Sequence, residues 1–110
     1  MKIKDMLYAL WTQTHEDTGW NHLVTNQLMY RYKNGIVYVM LENYPKPTAP
    51  LIGTLPEGYR PSRNIAANLR TNEASAVTCW VEPNGAIKVD SGNIPSSVSN
   101  IAGTFAFPVN

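Results

Sequence analysis

From Leu23 to Tyr32 the side chains alternate, with Leu28, Tyr30 and Tyr32 on one side and Met29, Arg31 and Lys33 on the other. A period of two predicts a strand with two different faces. Asn34-Gly35 follows, and then the apolar run Ile36-Val-Tyr-Val-Met-Leu41. Asn-Gly between two such runs predicts a tight hairpin, because both residues accept positive φ. The second run is apolar throughout, so it is expected in a sheet covered on both faces. Ala74 to Glu82 predicts another strand, broken by Pro83-Asn84-Gly85, with Ala86 to Val89 pairing back. Leu51-Ile52-Gly53 reads as a short strand, and Gly103 to Val109 as a closing one. Residues 43–50 and 91–100, rich in Pro, Ser, Asn and Gly, read as loops. Asn64 to Leu69 fits either a turn of helix or an edge strand. The sum is about seven short strands with turn residues every ~8–12 positions, the pattern of an all-β sandwich or barrel. No strand alternates with a helix of crossover length, which argues against a parallel α/β sheet.

The first residues follow a different period. Ile3, Met6, Leu7, Leu10 and Trp11 fall at spacings of three, four and seven, which places them on one face of a helix. So short a helix needs a surface to pack on. It is either a terminal helix docked on its own domain or the end of a trimeric stalk whose copies meet along Ile3, Leu7 and Leu10. Residues 12–18 form a polar connector. The chain therefore divides into an N-terminal helix or stalk segment, residues 1–17, and a β domain, residues 18–110.

Composition narrows the function classes. In 110 residues the apolar fraction is 44% and the charged fraction 15%, with a net charge of +1. Such a chain folds as one domain with its own core. Its basic residues are scattered, which argues against a nucleic-acid partner. The apolar stretch near the N-terminus is interrupted by Asp5 and is too short for a signal sequence or a membrane span. A soluble chain with no export signal and no membrane insertion is expected. Cys79 is the single cysteine, so no intramolecular disulfide forms. Its apolar strand context predicts a buried, inert thiol.

Catalytic and metal signatures are missing from the sequence. His15, Glu16 and Asp17 are adjacent, and adjacent side chains diverge instead of converging on a metal. There is no nucleophile elbow, phosphate loop or carboxylate pair at an informative spacing. No enzyme activity, catalytic residue, metal or cofactor is expected. Aromatic side chains are the stronger lead, because Trp and Tyr combine an apolar face with a polar tip. Trp80 lies mid-strand and is expected in the core or between subunits. Trp20, beside Gly19 and His22, and Tyr44 and Tyr59, each near prolines, are expected at the surface.

The order of motifs carries a resemblance. Thr18-Gly19-Trp20 precedes the Tyr30-Arg31-Tyr32-Lys33-Asn34-Gly35 hairpin. Then come Gly53-Thr-Leu-Pro-Glu-Gly-Tyr-Arg-Pro61, Pro83-Asn84-Gly85-Ala86-Ile87 and a terminal Gly103-Thr104-Phe105. Over about residues 18–107 this resembles the C-terminal head domains of bacteriophage tail proteins that infect Gram-positive bacteria: receptor-binding proteins, fibre tips and baseplate appendages. The resemblance implies an antiparallel jelly-roll-like β-sandwich, trimeric about a fibre axis, located in the virion at the tail tip after synthesis in the bacterial cytoplasm. It implies adhesion to host cell-surface carbohydrate, such as wall polysaccharide or teichoic acid, alongside other phage tail proteins. The alternatives are a structural tail component that touches no receptor and a polysaccharide depolymerase tip. Heads of this kind usually end a longer fibre, and this sequence contains no shaft.

Candidate carbohydrate contacts are Trp20, His22, Tyr44 and Tyr59. The motif formed by Leu55, Pro56, Gly58, Tyr59, Arg60 and Pro61 is expected to be architectural, since its prolines and glycines shape a connection between strands. Arg60 is accordingly expected to bond protein carbonyls or a carboxylate, and not a receptor.

Overall fold

The computed structural model describes residues 17–109. Eight strands run in the order β1 (Asn21–Val24), β2 (Leu28–Lys33), β3 (Ile36–Pro45), β4 (Leu51–Thr54), β5 (Ile65–Thr71), β6 (Ala76–Val81), β7 (Ala86–Val89) and β8 (Asn100–Pro108). All pairings are antiparallel and belong to one sheet of order β1-β2-β3-β8-β5-β6-β7-β4. The all-β expectation holds, with one more strand than the pattern suggested. The predicted N-terminal helix lies outside the described residues.

The sheet curls until its two edge strands approach each other. At Gly53 of β4 an added Cβ would sit 2.9 Å from Leu28 Cδ2 and 3.3 Å from Leu23 Cδ1. β1 and β4 share no hydrogen-bonded ladder, so side chains bridge this nearly closed seam. The inner face carries one continuous core that includes Leu28, Val37, Val39, Leu41, Leu69, Cys79, Ile87, Ile101 and Phe107. Each such large side chain, removed from water, contributes roughly 1.5–3 kcal/mol.

Local chemistry explains the turns. Asn34 and Gly35 have φ of 54° and 80°, so the predicted hairpin is present with both central residues left-handed. Its two-residue loop pairs Lys33 with Ile36 and Arg31 with Tyr38. The single strand expected over Leu23–Tyr32 is instead two strands. Asn26, at φ 60°, turns the chain between them, and Gln27 N–H donates to the Val24 carbonyl at 3.0 Å. Asn tolerates this conformation because its short polar side chain bonds locally. Residues 64–69 are neither helix nor edge: β5 lies inside the sheet, between β8 and β6. The following strand starts at Ala76 and not at Ala74, because Ala74 adopts φ 64° in the turn. That turn is tied to the buried Thr71, whose hydroxyl oxygen accepts from the Glu73 and Ser75 N–H groups at 3.2 Å each. Residues 43–50 are only partly loop, since β3 continues to Pro45 past a bulge at Asn43.

One burial expectation is corrected and a second, for Trp80, is narrowed to its alternative outside the core. In β3 only Val37, Val39 and Leu41 are buried, while Ile36, Tyr38 and Met40 on the outer face stay half-exposed. The described chain therefore covers one face of this strand, not both. Trp80 is not in the core. It alternates outward from Cys79 and Val81, between Ala66 and Lys88, and is only partly buried. Cys79 is fully buried as expected, and burial pushes its thiol pKa up to about 12.

The Leu55–Pro61 connection docks against the β6–β7 turn. Leu55 is fully buried; its N–H donates to the Gly85 carbonyl at 2.9 Å, and its own carbonyl accepts from Arg60 Nε at 2.9 Å. Arg60 thus bonds a protein carbonyl. A Cβ on Gly85 would fall 2.4 Å from that same Leu55 oxygen and 2.8 Å from Arg60 Nε, and Gly85 has φ 90°. Gly58 has a similar φ of 91° but open space around it. Gly85→Ala is therefore expected to cost about 3 kcal/mol, combining left-handed strain of order 1–3 kcal/mol with a backbone overlap, while Gly58→Ala costs about 1 kcal/mol from strain alone. Urea denaturation of both variants checks this; equal midpoints would remove the special role of Gly85.

Candidate functional site

The two faces of β2 part company chemically. Tyr30 and Tyr32 point inward, where the ring of Tyr59 meets them edge-on at centroid distances of 4.8 and 6.4 Å. Burial raises the pKa of the Tyr30 hydroxyl, with the neighbouring Tyr59 adding to the effect. Tyr59 is packed against the core and serves to cover it. Arg31 and Lys33 point outward, opposite Tyr38 and Ile36 of β3.

Over this outer face lies Trp20, one of two large apolar side chains prominently exposed among the described residues, at 38%. The Arg31 guanidinium carbon stands 5.8 Å from the centre of the Trp20 ring, within cation–π range. Trp20, Arg31, Lys33 and Tyr38 line an open cleft of about 220 Å³. Its floor is a fixed sheet, and its wall is set by the turn before Trp20. There Asp17 Oδ1 accepts from Gly19 N–H at 2.9 Å and from Arg31 Nε at 2.8 Å, and Oδ2 accepts from Arg31 Nη2. Thr18 N–H donates to the Tyr32 carbonyl at 3.0 Å, and Tyr32 N–H donates to Thr18 Oγ1 at 3.1 Å.

The four residues singled out from the sequence do not converge. Trp20 belongs to the cleft just described. His22, exposed on β1, accepts the Asn26 N–H at Nδ1 over 3.3 Å and so braces its own turn. Tyr44 lines a second cleft, about 280 Å³, with Gln27, residues 45–49, Leu51 and Ile52. Tyr59 is occupied by Tyr30 and Tyr32. Arg31, Lys33 and Tyr38 were missed as partners of Trp20. Their signal was present: they fall on the outward positions of a hairpin whose register the Asn34-Gly35 loop dictates.

No group of three or more potential metal ligands exists among the described residues. Nor is any helix there long and apolar enough to cross a membrane. The chemistry on offer at the Trp20 cleft is stacking, hydrogen bonding and a net positive charge, with Arg31 and Lys33 against Asp17. Compared with protein-family models, curated proteins and solved structures, the chain matches none.

Asp17 supplies a pH test. The hydrogen bonds from Arg31, and then from Gly19, lower its pKa from 3.8 to about 2. A depressed carboxyl pKa stabilises the folded site above the unfolded value and loses that contribution as pH falls through the folded one. The clasp around Trp20 is therefore expected to be intact at neutral pH and down to about pH 4, then to open as pH falls towards about 2. Trp20 emission, isolated by difference against Trp20→Phe, should change with a midpoint near 2; a midpoint near 3.8 would mean the carboxylate is not so held.

Proposed function

We propose that this domain is the receptor-binding head of a bacteriophage tail appendage, adhering to carbohydrate on the host cell surface. Two lines support the reading: the sequence resemblance over residues 18–107, and the cleft built on Trp20. The cleft is the observation that carries it. An indole face held outside the core, beside a guanidinium, an ammonium and a phenol, suits a sugar, whose C–H faces stack on aromatic rings and whose hydroxyls accept and donate hydrogen bonds. Among the described residues it presents no pair of carboxyl groups for glycoside cleavage, and binding without catalysis is the proposed role. Residues 18–110 form the head in this reading, and residues 1–17 join it to the fibre.

The curled antiparallel sheet serves as the jelly-roll-like sandwich of such heads, assembled as a trimer. Trimerisation multiplies weak saccharide contacts into avidity when several sites engage one surface. Half-exposed outer-face side chains such as Trp80, Ile36 and Met40 are the surface available for subunit contacts. Light scattering is expected to give a molar mass near three times 12.3 kDa; a monomer at high concentration would remove the fibre-tip arrangement.

Trp20→Ala is expected to reduce binding to Gram-positive cell-wall preparations about tenfold or more, as loss of a central tryptophan anchor does in other interfaces. Circular dichroism should stay unchanged, since Trp20 is outside the core. Unchanged wall binding by the variant, or no binding of the unaltered protein to any such preparation, would overturn the reading.

A further inference from the structure

We infer that Asp17 is the positioning residue of the Trp20 cleft: it locks the Arg31 guanidinium against the indole and so sets the ligand-facing surface of both. The significance of this for ligand binding rests on the reading of the cleft as a saccharide site. The geometry of the clasp stands on separate observations.

One carboxylate takes three N–H groups: Gly19 N–H, Arg31 Nε and Arg31 Nη2. It therefore joins two stretches of chain, the turn that delivers Trp20 and the strand that delivers Arg31. The turn needs such a link. Gly19 has φ 68°, and Thr18, next to Asp17, is bonded to both backbone groups of Tyr32. Asn21 Nδ2 adds bonds to Thr18 Oγ1 and the Gly19 carbonyl, each at 3.3 Å. Trp20 leaves this turn with its ring already placed over Arg31.

The guanidinium is planar, with its donors in a fixed fork. Asp17 occupies the Nε–Nη2 edge, so the plane cannot rotate about its long stem without breaking two bonds. Arg31 Nη1 makes no hydrogen bond among the described residues, and Lys33 makes no ion pair there. Among the described residues, the donors left for a ligand are thus Nη1, the second N–H of Nη2 and the Lys33 ammonium, on residues that line the cleft with Trp20 and Tyr38. Both Asp17 and Arg31 retain about 30% of their side-chain exposure (30% and 31%), so the pair adds little to global stability. Its effect is local order, and that separates positioning from scaffolding.

Asp17→Asn and Asp17→Ala test the inference by two readouts. Asparagine retains an acceptor for the Gly19 N–H but carries no charge for Arg31; alanine removes both. In ¹H–¹⁵N spectra, the Arg31 Nε–H and the Trp20 indole N–H are expected to shift and broaden in both variants, more in Asp17→Ala, with the melting temperature nearly unchanged. Binding to a Gram-positive cell-wall preparation is expected to fall about threefold in Asp17→Asn and about fivefold in Asp17→Ala, the scale of an exposed charge pair plus a cation–π contact. Unmoved Arg31 and Trp20 resonances would overturn the positioning role. So would moved resonances with undiminished binding, provided Trp20→Ala does weaken binding. If Trp20→Ala leaves wall binding intact, the saccharide-site reading fails, and the resonances alone then decide whether Asp17 orders the cleft.

Discussion

The structure depends on how a single curled sheet covers its own apolar face where its two edges meet without hydrogen bonds. A sheet that closes by a ladder satisfies its edges by pairing; here β1 and β4 approach but do not pair. Closure rests on side-chain packing. Gly53 lacks a Cβ, which lets Leu23 and Leu28 come into contact with the β4 backbone. The Leu55–Pro61 connection does the rest. Its Tyr59 packs on Tyr30 and Tyr32 of β2, and its Leu55 and Arg60 grip the turn at Gly85 between β6 and β7. One short segment thus touches strands near both ends of the sheet order. Its prolines fix φ and so limit the entropy lost on folding, while Gly58 supplies the positive φ of the bend.

That arrangement leaves the opposite face of β2 to the Trp20 cleft. β2 sends Tyr30 and Tyr32 inward to the seam and Arg31 and Lys33 outward to the cleft. A two-residue hairpin holds Tyr38 opposite Arg31, so the floor of the cleft stands on a hydrogen-bonded ladder. Only the wall, Trp20 on its clasped turn, depends on exposed polar bonds. Sites placed on a firm sheet with one loop-borne aromatic combine a preorganised base with a wall that can adapt.

Much of this was legible along the chain. Alternation in β2 identified the two faces, and Asn34-Gly35 set the register that puts Arg31 opposite Tyr38. Arg60 was expected to bond a protein carbonyl or a carboxylate, and it bonds the Leu55 carbonyl. Where reading along the chain failed, a contact that alternation does not register overrode the local rule. Asn26 divided an apparently continuous strand by adopting a left-handed turn braced by His22. Residues 64–69 carry weak local preference, and pairing with β6 and β8 made them an interior strand. Four aromatic and imidazole side chains expected at one kind of surface went to different duties, because exposure depends on what packs opposite.

The alternation of β2, the turn chemistry and the register of the Asn34-Gly35 hairpin were determined by the sequence alone, because each arises from φ/ψ preferences and alternation within about ten neighbouring residues. The tertiary structure decided three further things: that Tyr59 seals a seam, that Trp80 faces outward, and that Trp20 stands over Arg31 under the hold of Asp17. The contacts behind the first and last of these join residues 11 to about 30 positions apart, beyond the reach of local preference.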